Sequence, residues 1–443
     1  SRRDRAGFFV SAAGLSLYCA RMLGAFFGRH ESMRSLRHRD FQLLLAGSTI
    51  VGFTMPVQYL TQIFWIEDNY ASREVLYVGL LAASRGFALL AFSLLGGAIA
   101  DRFERRRVLL GCESTAFTLN GLIAVLMIWQ PFGGATIAAL LGLTFLAAGN
   151  MAVDMPTRTA SIPAIVGMED LANGISLQMI GQQLAAPLAL PLAGFLNGLF
   201  DSGHVYAGTL AAWLFILPLI SSLRYHSVGE ADRGQSVLGN VRAGLAYSWR
   251  EPTIFAVVLL VIVLYVVGMP GPSTLGPVWM TTILGLSKTQ FGAIAMTWGL
   301  GAMVASFVFA RRPGLARRGG SLCAMTLLFA VSAIVFAHSR FIPLTTVVNF
   351  TLGFSLVGTI VSGSTIVQYA VSDEMRGRVM GLFPLAMGLS MLSGAPVSAV
   401  GQVAGLPVVF PILAWSMLAL VVGVMIVRPD LGRLEMGAAA VSV

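Results

Sequence analysis

Residues 97–107 read Gly-Ala-Ile-Ala-Asp-Arg-Phe-Glu-Arg-Arg-Arg, and they separate two apolar runs, 75–100 and 108–129. Each run holds a single charged residue, Arg85 in the first and Glu113 in the second. An apolar run of about 20 residues is long enough to cross a bilayer as an α-helix. The stretch therefore predicts two membrane-spanning helices joined by a short basic loop at the membrane surface.

The composition of the whole chain is that of a membrane protein. Its 443 residues are 56% hydrophobic and 11% charged, with a mean hydropathy of +0.80. Soluble globular proteins carry about 45–50% apolar and about 25% charged residues. These values exclude a water-soluble enzyme, a disordered chain and a fibrous chain. The net charge of +9 comes from basic residues clustered between apolar runs, so we expect a lipid bilayer, and no nucleic acid, as the partner.

Twelve apolar runs of spanning length follow one another along the chain, and none shows the alternation of β-barrel strands. We therefore predict an all-α membrane protein with twelve transmembrane helices in two six-helix halves. The predicted spans are 41–66, 75–100, 108–129, 135–161, 174–199, 207–223, 253–283, 290–310, 321–338, 342–371, 379–403 and 406–427.

The arrangement of positive charge predicts the orientation. If the segment before residue 41 is cytoplasmic, 25 Lys and Arg side chains fall on the cytoplasmic side. Three fall outside, namely Arg73, Lys288 and Arg340. Cytoplasmic loops of membrane proteins are enriched in Lys and Arg. We therefore expect a multi-pass protein of the inner (plasma) membrane with both termini in the cytoplasm.

The longest polar break between the runs, 224–252, follows the sixth span. It predicts bundles at 41–223 and 253–427, with a cytoplasmic segment 1–40 and a tail 428–443. Within the break, apolar residues recur at helical spacing, which predicts an amphipathic helix on the inner surface. These residues are Val237, Leu238, Val241, Leu245 and Trp249.

Residues 1–32 leave two interpretations open. Their apolar part is about 15 residues long, which is too short to span a bilayer. It is either a helix that lies on the membrane surface or a translated extension before a start at Met33.

Several motifs resemble those of a known family. The loop 97–107 resembles the cytoplasmic loop signature of the major facilitator superfamily, with Glu104 where that family often has glycine. Asp101-Arg102 with Arg105-Arg106 is similar to the D-R-x-x-R-R of its branch of enterobactin exporters and drug–proton antiporters. Residues 156–173 and the Arg-Gly-Arg-Val at 376–379 resemble other motifs of that branch. The resemblance implies a twelve-helix secondary transporter that acts as a monomer.

The basic residues near the signature are candidates for a gate at the inner mouth. Arginines there can pair with acids on a neighbouring helix, and an aspartate can cap a helix start. The alternative is a plain anchor of positive charge. The candidate gate residues are Asp101, Arg102, Arg105, Arg106 and Arg158.

Asp154 is the candidate carboxylate for proton coupling. It lies within the fourth run, one helical turn before Arg158. A charge in hydrocarbon is costly, so an intramembrane acid points to a function. The alternative is a fixed ion pair with Arg105, Arg106 or Arg158. We expect Glu113 to lie at the membrane interface.

Polar residues on the spans predict a substrate cavity, because a polar stripe in lipid faces protein or water. The alternative is that they bond neighbouring helices, and for Arg85 the alternative is a pair with Glu67 or Asp68 near the outer surface. In the segment 268–277 we expect an unwound hinge. The candidate cavity residues are Thr54, Gln58, Gln62, Arg85, Gln178, Gln182, Tyr265, Trp298, Ser355 and Ser362.

The chain holds no P-loop, no clustered His or Cys and no nucleophile motif, so we expect no ATP-driven step, no enzyme activity, no metal and no cofactor. The degenerate antiporter motif at 181–194 has Ala186 before Pro187 where the family has glycine. We predict a proton-coupled exporter of a small amphipathic organic molecule, with the proton as coupling ion. The alternative is an importer or facilitator of a small organic solute.

Overall fold

The computed structural model describes residues 31–225 and 237–435, and these residues are almost entirely helical. Six helices form an N-terminal bundle. They are α1 (Arg39–Asn69), α2 (Glu74–Arg102), α3 (Arg105–Trp129), α4 (Thr136–Val166), α5 (Leu171–Leu199) and α6 (Ser202–Ser221). The two interpretations of residues 1–32 concern a segment of which 1–30 lie outside the described residues.

A linker helix and a second set of six helices follow. They are α7 (Val237–Arg250), α8 (Pro252–Ile283), α9 (Lys288–Arg311), α10 (Gly319–His338), α11 (Ile342–Ala370), α12 (Asp373–Ala404) and α13 (Leu406–Val427). We call α8–α13 the C-terminal bundle. The helix α7 lies where the sequence predicts one, and it packs on the first turns of α12.

Eleven helices in the described part of the chain are long and apolar enough to cross a membrane. They comprise every helix of the two bundles except α5, which is itself 29 residues long. The chain is therefore a multi-pass, all-helical membrane protein. Most of the helices continue beyond the predicted apolar runs by a few residues at one end or both, because a helix ends where its capping geometry changes and not where its side chains become polar.

The helix α8 differs from the prediction. We expected an unwound hinge at 268–277, but the segment remains helical in wide π-type turns at Leu264–Gly268, Pro270–Leu275 and Trp279–Ile283. Proline has no backbone N–H, and a π-type turn shifts the hydrogen-bond register so that fewer groups are left unpaired. The prolines therefore widen the helix without breaking it.

The two bundles meet along two helix pairs, α2 with α12 and α5 with α9. Glycines allow close approach there. A Cβ atom on Gly292 of α9 would lie 2.9 Å from Gly194 Cα and 3.0 Å from Leu190 O of α5. Only glycine fits at such a distance, so the backbones touch at this level.

The two ends of the molecule differ. The arginine-rich end carries the loops near 102–107, 311–318 and 371–378, and we call the other the opposite end. Towards the opposite end, one buried apolar cluster joins both bundles and includes Phe64 and Phe291, whose rings lie edge to face at 5.6 Å. At the arginine-rich end, the buried residues of the N-terminal bundle form a cluster of their own. The bundles thus share an apolar core at one end.

Candidate functional site

A charged cluster is buried inside the N-terminal bundle, between α3, α4 and α6. Arg158 is 2% exposed, and its guanidinium contacts two carboxylates. Its Nε donates to Asp154 Oδ2 at 2.5 Å, and its Nη2 donates to Glu113 Oε1. Trp213 Nε1 donates to Glu113 Oε2 at 2.9 Å. One guanidinium therefore connects α3 and α4, and the Trp213 bond adds α6.

The two carboxylates differ in how completely their oxygens are bonded. Both oxygens of Glu113 accept a hydrogen bond. Asp154 is 6% exposed, and its Oδ1 has no hydrogen-bond partner among the described residues. Buried polar atoms are nearly always bonded to protein or water. Asp154 Oδ1 is therefore the carboxylate oxygen of this cluster that still needs a hydrogen-bond donor.

The expectation for Glu113 was wrong. It is 3% exposed and paired with Arg158, although we expected it at the membrane interface. The burial of Glu113 depends on how α3 packs against α4, which the sequence of α3 does not specify. The spacing of Asp154 and Arg158, in contrast, places them on one face of a helix from sequence alone.

A cavity of about 80 Å³ extends from this cluster through the N-terminal bundle, and we call it the N-terminal cavity. It has room for a few water molecules. Two of its wall residues, Thr144 and Asp154, are ten residues apart on α4, or about 15 Å along the helix axis. The polar and charged residues of the wall are Thr54, Gln58, Gln62, Arg85, Glu113, Asn120, Thr144, Asn150, Asp154 and Tyr206.

Hydrogen bonds connect the walls of the N-terminal cavity. The Tyr206 hydroxyl donates to Asn120 Oδ1 at 2.7 Å, and Gln62 Nε2 donates to Thr144 Oγ1 at 3.2 Å. Gln62 is 1% exposed, and its Oε1 has no partner among the described residues. Two buried acceptors, on Gln62 and Asp154, therefore lack donors at the two ends of one cavity.

Arg85 lies far from the charged cluster along this cavity. The neighbouring Ser84 donates to Leu141 O of α4 at 2.8 Å, so this turn of α2 is about 20 Å before Asp154 along α4. The Arg85 guanidinium lies 4.8 Å from the centroid of the Tyr59 ring, which is a cation–π contact. Among the described residues Arg85 forms no ion pair, so the alternative pairing with Glu67 or Asp68 is not observed.

A second cavity, of about 220 Å³, lies between the two bundles, and we call it the central cavity. Its wall has no charged side chain and only a few polar ones, a composition that suits a mostly apolar ligand. The π-type turns of α8 form one side of it, where irregular backbone is tolerated. The wall consists of Pro56, Tyr59, Leu60, Ile63, Leu190, Met269, Pro272, Ser273, Gly276, Pro277, Met280, Phe291, Ala295, Trp298 and Asn349.

The predicted cavity residues divide between these places. Trp298 lies on the central cavity, whereas four others lie on the N-terminal cavity. These four are Thr54, Gln58, Gln62 and Arg85. Gln58 Nε2 also donates to Thr209 Oγ1 of α6 at 2.9 Å. The polar stripe of α1 therefore faces the interior of its own bundle.

The other predicted cavity residues lie on neither cavity. Ser355 and Ser362 of α11 are fully buried, and Ser355 Oγ donates to Thr351 O at 2.6 Å. Tyr265 packs against the apolar core, and Gln178 is 6% exposed with its Oε1 unbonded among the described residues. The side chain of Gln182 lies outside the described residues. Both serines are buried in the helix packing of the C-terminal bundle, where α11 contacts α9 and α10.

The candidate gate arginines bond to backbone carbonyls of their own bundle. Arg105 Nη1 donates to Ala160 O and Arg106 Nη2 to Ser221 O, each at 2.7 Å. Ser221 ends α6, and the last carbonyls of a helix attract cations. Arg102 is exposed. The side chain of Asp101 lies outside the described residues.

Tyr225, just after α6, closes this corner of the arginine-rich end. Its hydroxyl donates to Ser161 Oγ of α4 at 2.6 Å, and its backbone N–H donates to Asp40 Oδ2. Burial raises the pKa of Tyr225, and the hydrogen bond with Ser161 opposes the rise. The N-terminal bundle is thus bonded to itself at this end.

Polar contacts join the two bundles at the opposite end. Lys288 Nζ lies 2.6 Å from Asp68 Oδ2, and Thr281 Oγ1 donates to Glu67 Oε1 at 3.1 Å. Gln402 Nε2 donates to the backbone oxygen of residue 72 at 2.9 Å. These contacts close the central cavity towards the opposite end.

Sequence reasoning missed several residues of these cavities. Tyr59 and Asn349 line the central cavity, and Tyr206 and Trp213 line the N-terminal one. The signal for Tyr59 was available, since it neighbours Gln58 on a span with a polar stripe.

In residues 31–225 and 237–435 no three His, Cys, Asp or Glu side chains come together as a metal site requires.

Comparison with known proteins identifies the family. The family model described as "Transmembrane secretion effector" matches residues 31–440. An uncharacterised transporter of the major facilitator type from Bacillus subtilis is 27% identical over 323 residues, covering 72% of this chain and 77% of that protein. The enterobactin exporter of Escherichia coli is 24% identical over 383 residues, covering 78% of this chain and 80% of the exporter.

Solved structures show the same fold. A nucleoside transporter matches with a TM-score of 0.71 at 15% identity, over 87% of this chain and 99% of its own. A peptide transporter matches with a TM-score of 0.68 at 14% identity, over 94% of this chain and 99% of its own. At these identities the likeness concerns the fold alone.

Proposed function

Because this chain belongs to the transmembrane secretion effector family of the major facilitator superfamily, we propose that it exports a small amphipathic organic molecule by proton-coupled antiport. The chain is a membrane transporter and not an enzyme. The observation that carries the proposal is the uncharged central cavity between two bundles that are joined at one end. Alternating access requires a cavity of this kind, opened to each side in turn.

The proposed architecture has twelve transmembrane helices, α1–α6 and α8–α13, in two halves. The chain then lies in the inner membrane as a monomer, with both termini and the arginine-rich end in the cytoplasm. The contacts near Lys288 lie on the outer side in this orientation. The split of basic residues supports this orientation.

Topology is tested by cysteine labelling from outside intact cells. Cysteines at positions 133, 203 and 285 should react with a membrane-impermeant thiol reagent, and those at 104, 232 and 315 should not. Labelling at position 104 from outside would overturn the orientation.

The direction of export is supported by the apolar wall of the central cavity and by the exporter among the relatives. The test is a screen of metabolites and drugs for accumulation in inverted vesicles, with and without a pH gradient. Export predicts gradient-dependent accumulation in inverted vesicles. Accumulation in right-side-out vesicles instead would establish the importer or facilitator.

Asp154 is the proposed coupling carboxylate, because it has the unbonded oxygen of the buried cluster. Protonation gives this oxygen a hydrogen to share and removes one of two negative charges that compete for Arg158.

The gate role proposed for Asp101 is tested separately. Asp101→Asn should slow transport at unchanged abundance in the membrane, and a wild-type rate would contradict that role.

A further inference from the structure

The starting observation is the position of Arg85. It is a cation within a membrane-spanning helix, and among the described residues no carboxylate pairs with it. Its guanidinium lies on the wall of the N-terminal cavity, while the Tyr59 ring that it covers lies on the wall of the central cavity. Arg85 and Tyr59 therefore form a partition between the two cavities.

The second observation is the pair of acceptors without donors. Gln62 Oε1 and Asp154 Oδ1 are buried on the wall of the N-terminal cavity, and neither has a hydrogen-bond partner in the part of the chain that the structure describes. A cavity that fits a few water molecules and offers unbonded acceptors satisfies the requirements for bound water. Bound water along the cavity from Gln62 to Asp154 would supply the missing donors and connect the acid with the partition.

The N-terminal cavity has a net negative cluster at one end and a positive side chain at the other. Asp154 is paired with Arg158 on its own helix, and Glu113 of α3 bonds to the same guanidinium, whereas Arg85 of α2 lies at the far end of the same cavity. The two carboxylates and Arg158 together carry one net negative charge. Arg85 supplies the opposite charge at the far end of the same cavity. A fixed guanidinium at the end of a water path repels protons, as positive groups do in selective pores.

We propose that Arg85 is an electrostatic seal, which confines the coupling proton to the N-terminal cavity and keeps it out of the substrate cavity. This role rests on the proposed proton coupling through Asp154. It differs from the substrate-binding role that the sequence predicts for Arg85. A proton that crossed the partition would leave through the central cavity without substrate movement, and the pH gradient would be lost.

The test needs no substrate. Purified protein is reconstituted into liposomes that enclose a pH-sensitive dye, a pH gradient is imposed with valinomycin and potassium present, and its decay is followed. Arg85→Gln should raise the proton leak by about tenfold or more, since a unit charge in a site of low dielectric changes proton occupancy by at least that factor. Arg85→Lys, which keeps the charge, should remain close to the wild-type leak.

Two controls make the test specific. Arg340 is the matched position, because its guanidinium lies 4.4 Å from the Trp279 ring centroid in the C-terminal bundle, and Arg340→Gln should not leak. The double variant Arg85→Gln with Asp154→Asn should return to the wild-type leak, since the proton then has no carboxylate to occupy. If Arg85→Gln does not elute as a monodisperse protein, Arg85→Met replaces it.

A wild-type leak in Arg85→Gln or Arg85→Met, or a leak that persists in the double variant, would overturn the seal. These outcomes leave proton coupling untouched, because coupling is measured by gradient-driven transport in Asp154→Asn alone. Conversely, a leak that needs Asp154 supports the seal, and gradient-driven transport in Asp154→Asn tests the proton coupling on which the seal rests.

Discussion

The N-terminal bundle has charge in its interior, whereas the C-terminal bundle has only uncharged polar groups there. Glu113, Asp154 and Arg158 are all in the first bundle, and they are the charged residues among the buried side chains of the described chain. In the second bundle the corresponding contacts are between hydroxyls, such as Thr326 Oγ1 and Thr359 Oγ1 at 3.4 Å. The C-terminal bundle in turn supplies most of the central cavity wall. The difference suggests a division of roles, with ion handling in one bundle and substrate contact chiefly in the other.

The largest expected effect is on stability, and it contrasts the two interiors. Arg158→Met leaves two carboxylates buried without a cation, which costs about 3–5 kcal/mol. We expect a large fall in melting temperature in detergent. Thr359→Val removes a neutral contact and should cost about 1 kcal/mol or less. Equal losses in the two variants would show that the charged interior has no special energetic weight.

The next effect concerns activity. Asp154→Asn should abolish transport driven by a pH gradient while sparing exchange of substrate down its own gradient, because the amide cannot release a proton. Below neutral pH the wild type should gain from an inward proton gradient and the variant should not. Ser362→Ala is the control in the other bundle and should transport normally. Persistent gradient-driven transport in Asp154→Asn would show that the proton is carried elsewhere, such as at Glu113 or Glu67, or that transport is not proton-coupled.

The third effect tests the substrate side of the comparison. Trp298→Ala removes a large apolar surface from the central cavity, and we expect the substrate Kd to rise about tenfold, or about 1.4 kcal/mol. Asp154→Asn should leave this Kd nearly unchanged when binding is measured without a pH gradient. The measurement is equilibrium binding of the substrate found in the vesicle screen. An unchanged Kd in Trp298→Ala would place substrate contact elsewhere.

The smallest effect concerns the contact between the bundles. Asp68→Gln removes the ion pair with Lys288, whose partners are 44% and 22% exposed, so we expect a loss of at most about 1 kcal/mol. High salt should reduce the difference between variant and wild type, because it screens exposed charges. A loss as large as that of Arg158→Met would contradict the view that this pair is a weak and reversible closure.

Much of the fold follows from the sequence, because lipid requires every spanning segment to satisfy its own backbone hydrogen bonds. Length and hydropathy therefore predict where the helices lie, including the linker helix α7. They do not predict which helix face meets which neighbour. Asp154 and Arg158 could be paired from their spacing on one helix, whereas Glu113 reaches Arg158 only through the packing of α3 on α4. For the same reason Ser355 belongs to a regular polar stripe and yet is buried in helix packing and bonded to its own helix.

The prediction of an unwound hinge in α8 was wrong for a different reason. Three prolines within eight residues predict that the helix is interrupted, because each proline lacks the backbone N–H that a helix needs as a hydrogen-bond donor. The π-type turns show that a helix can absorb such a set by shifting its register, and the widened backbone then forms one wall of the central cavity. A sequence does not show this, because the choice between a break and a bulge depends on the helices packed around it.

Lys288 is the only lysine in the sequence, and its amine is held at the contact that closes the opposite end. Lysine acylation therefore reports on one place in the molecule. A reagent for amines reacts slowly while Asp68 holds that group and faster once this end opens, so its rate of incorporation measures how often the opposite end opens. A label attached there, by removing the positive charge, would also bias the molecule towards the state that the label detects.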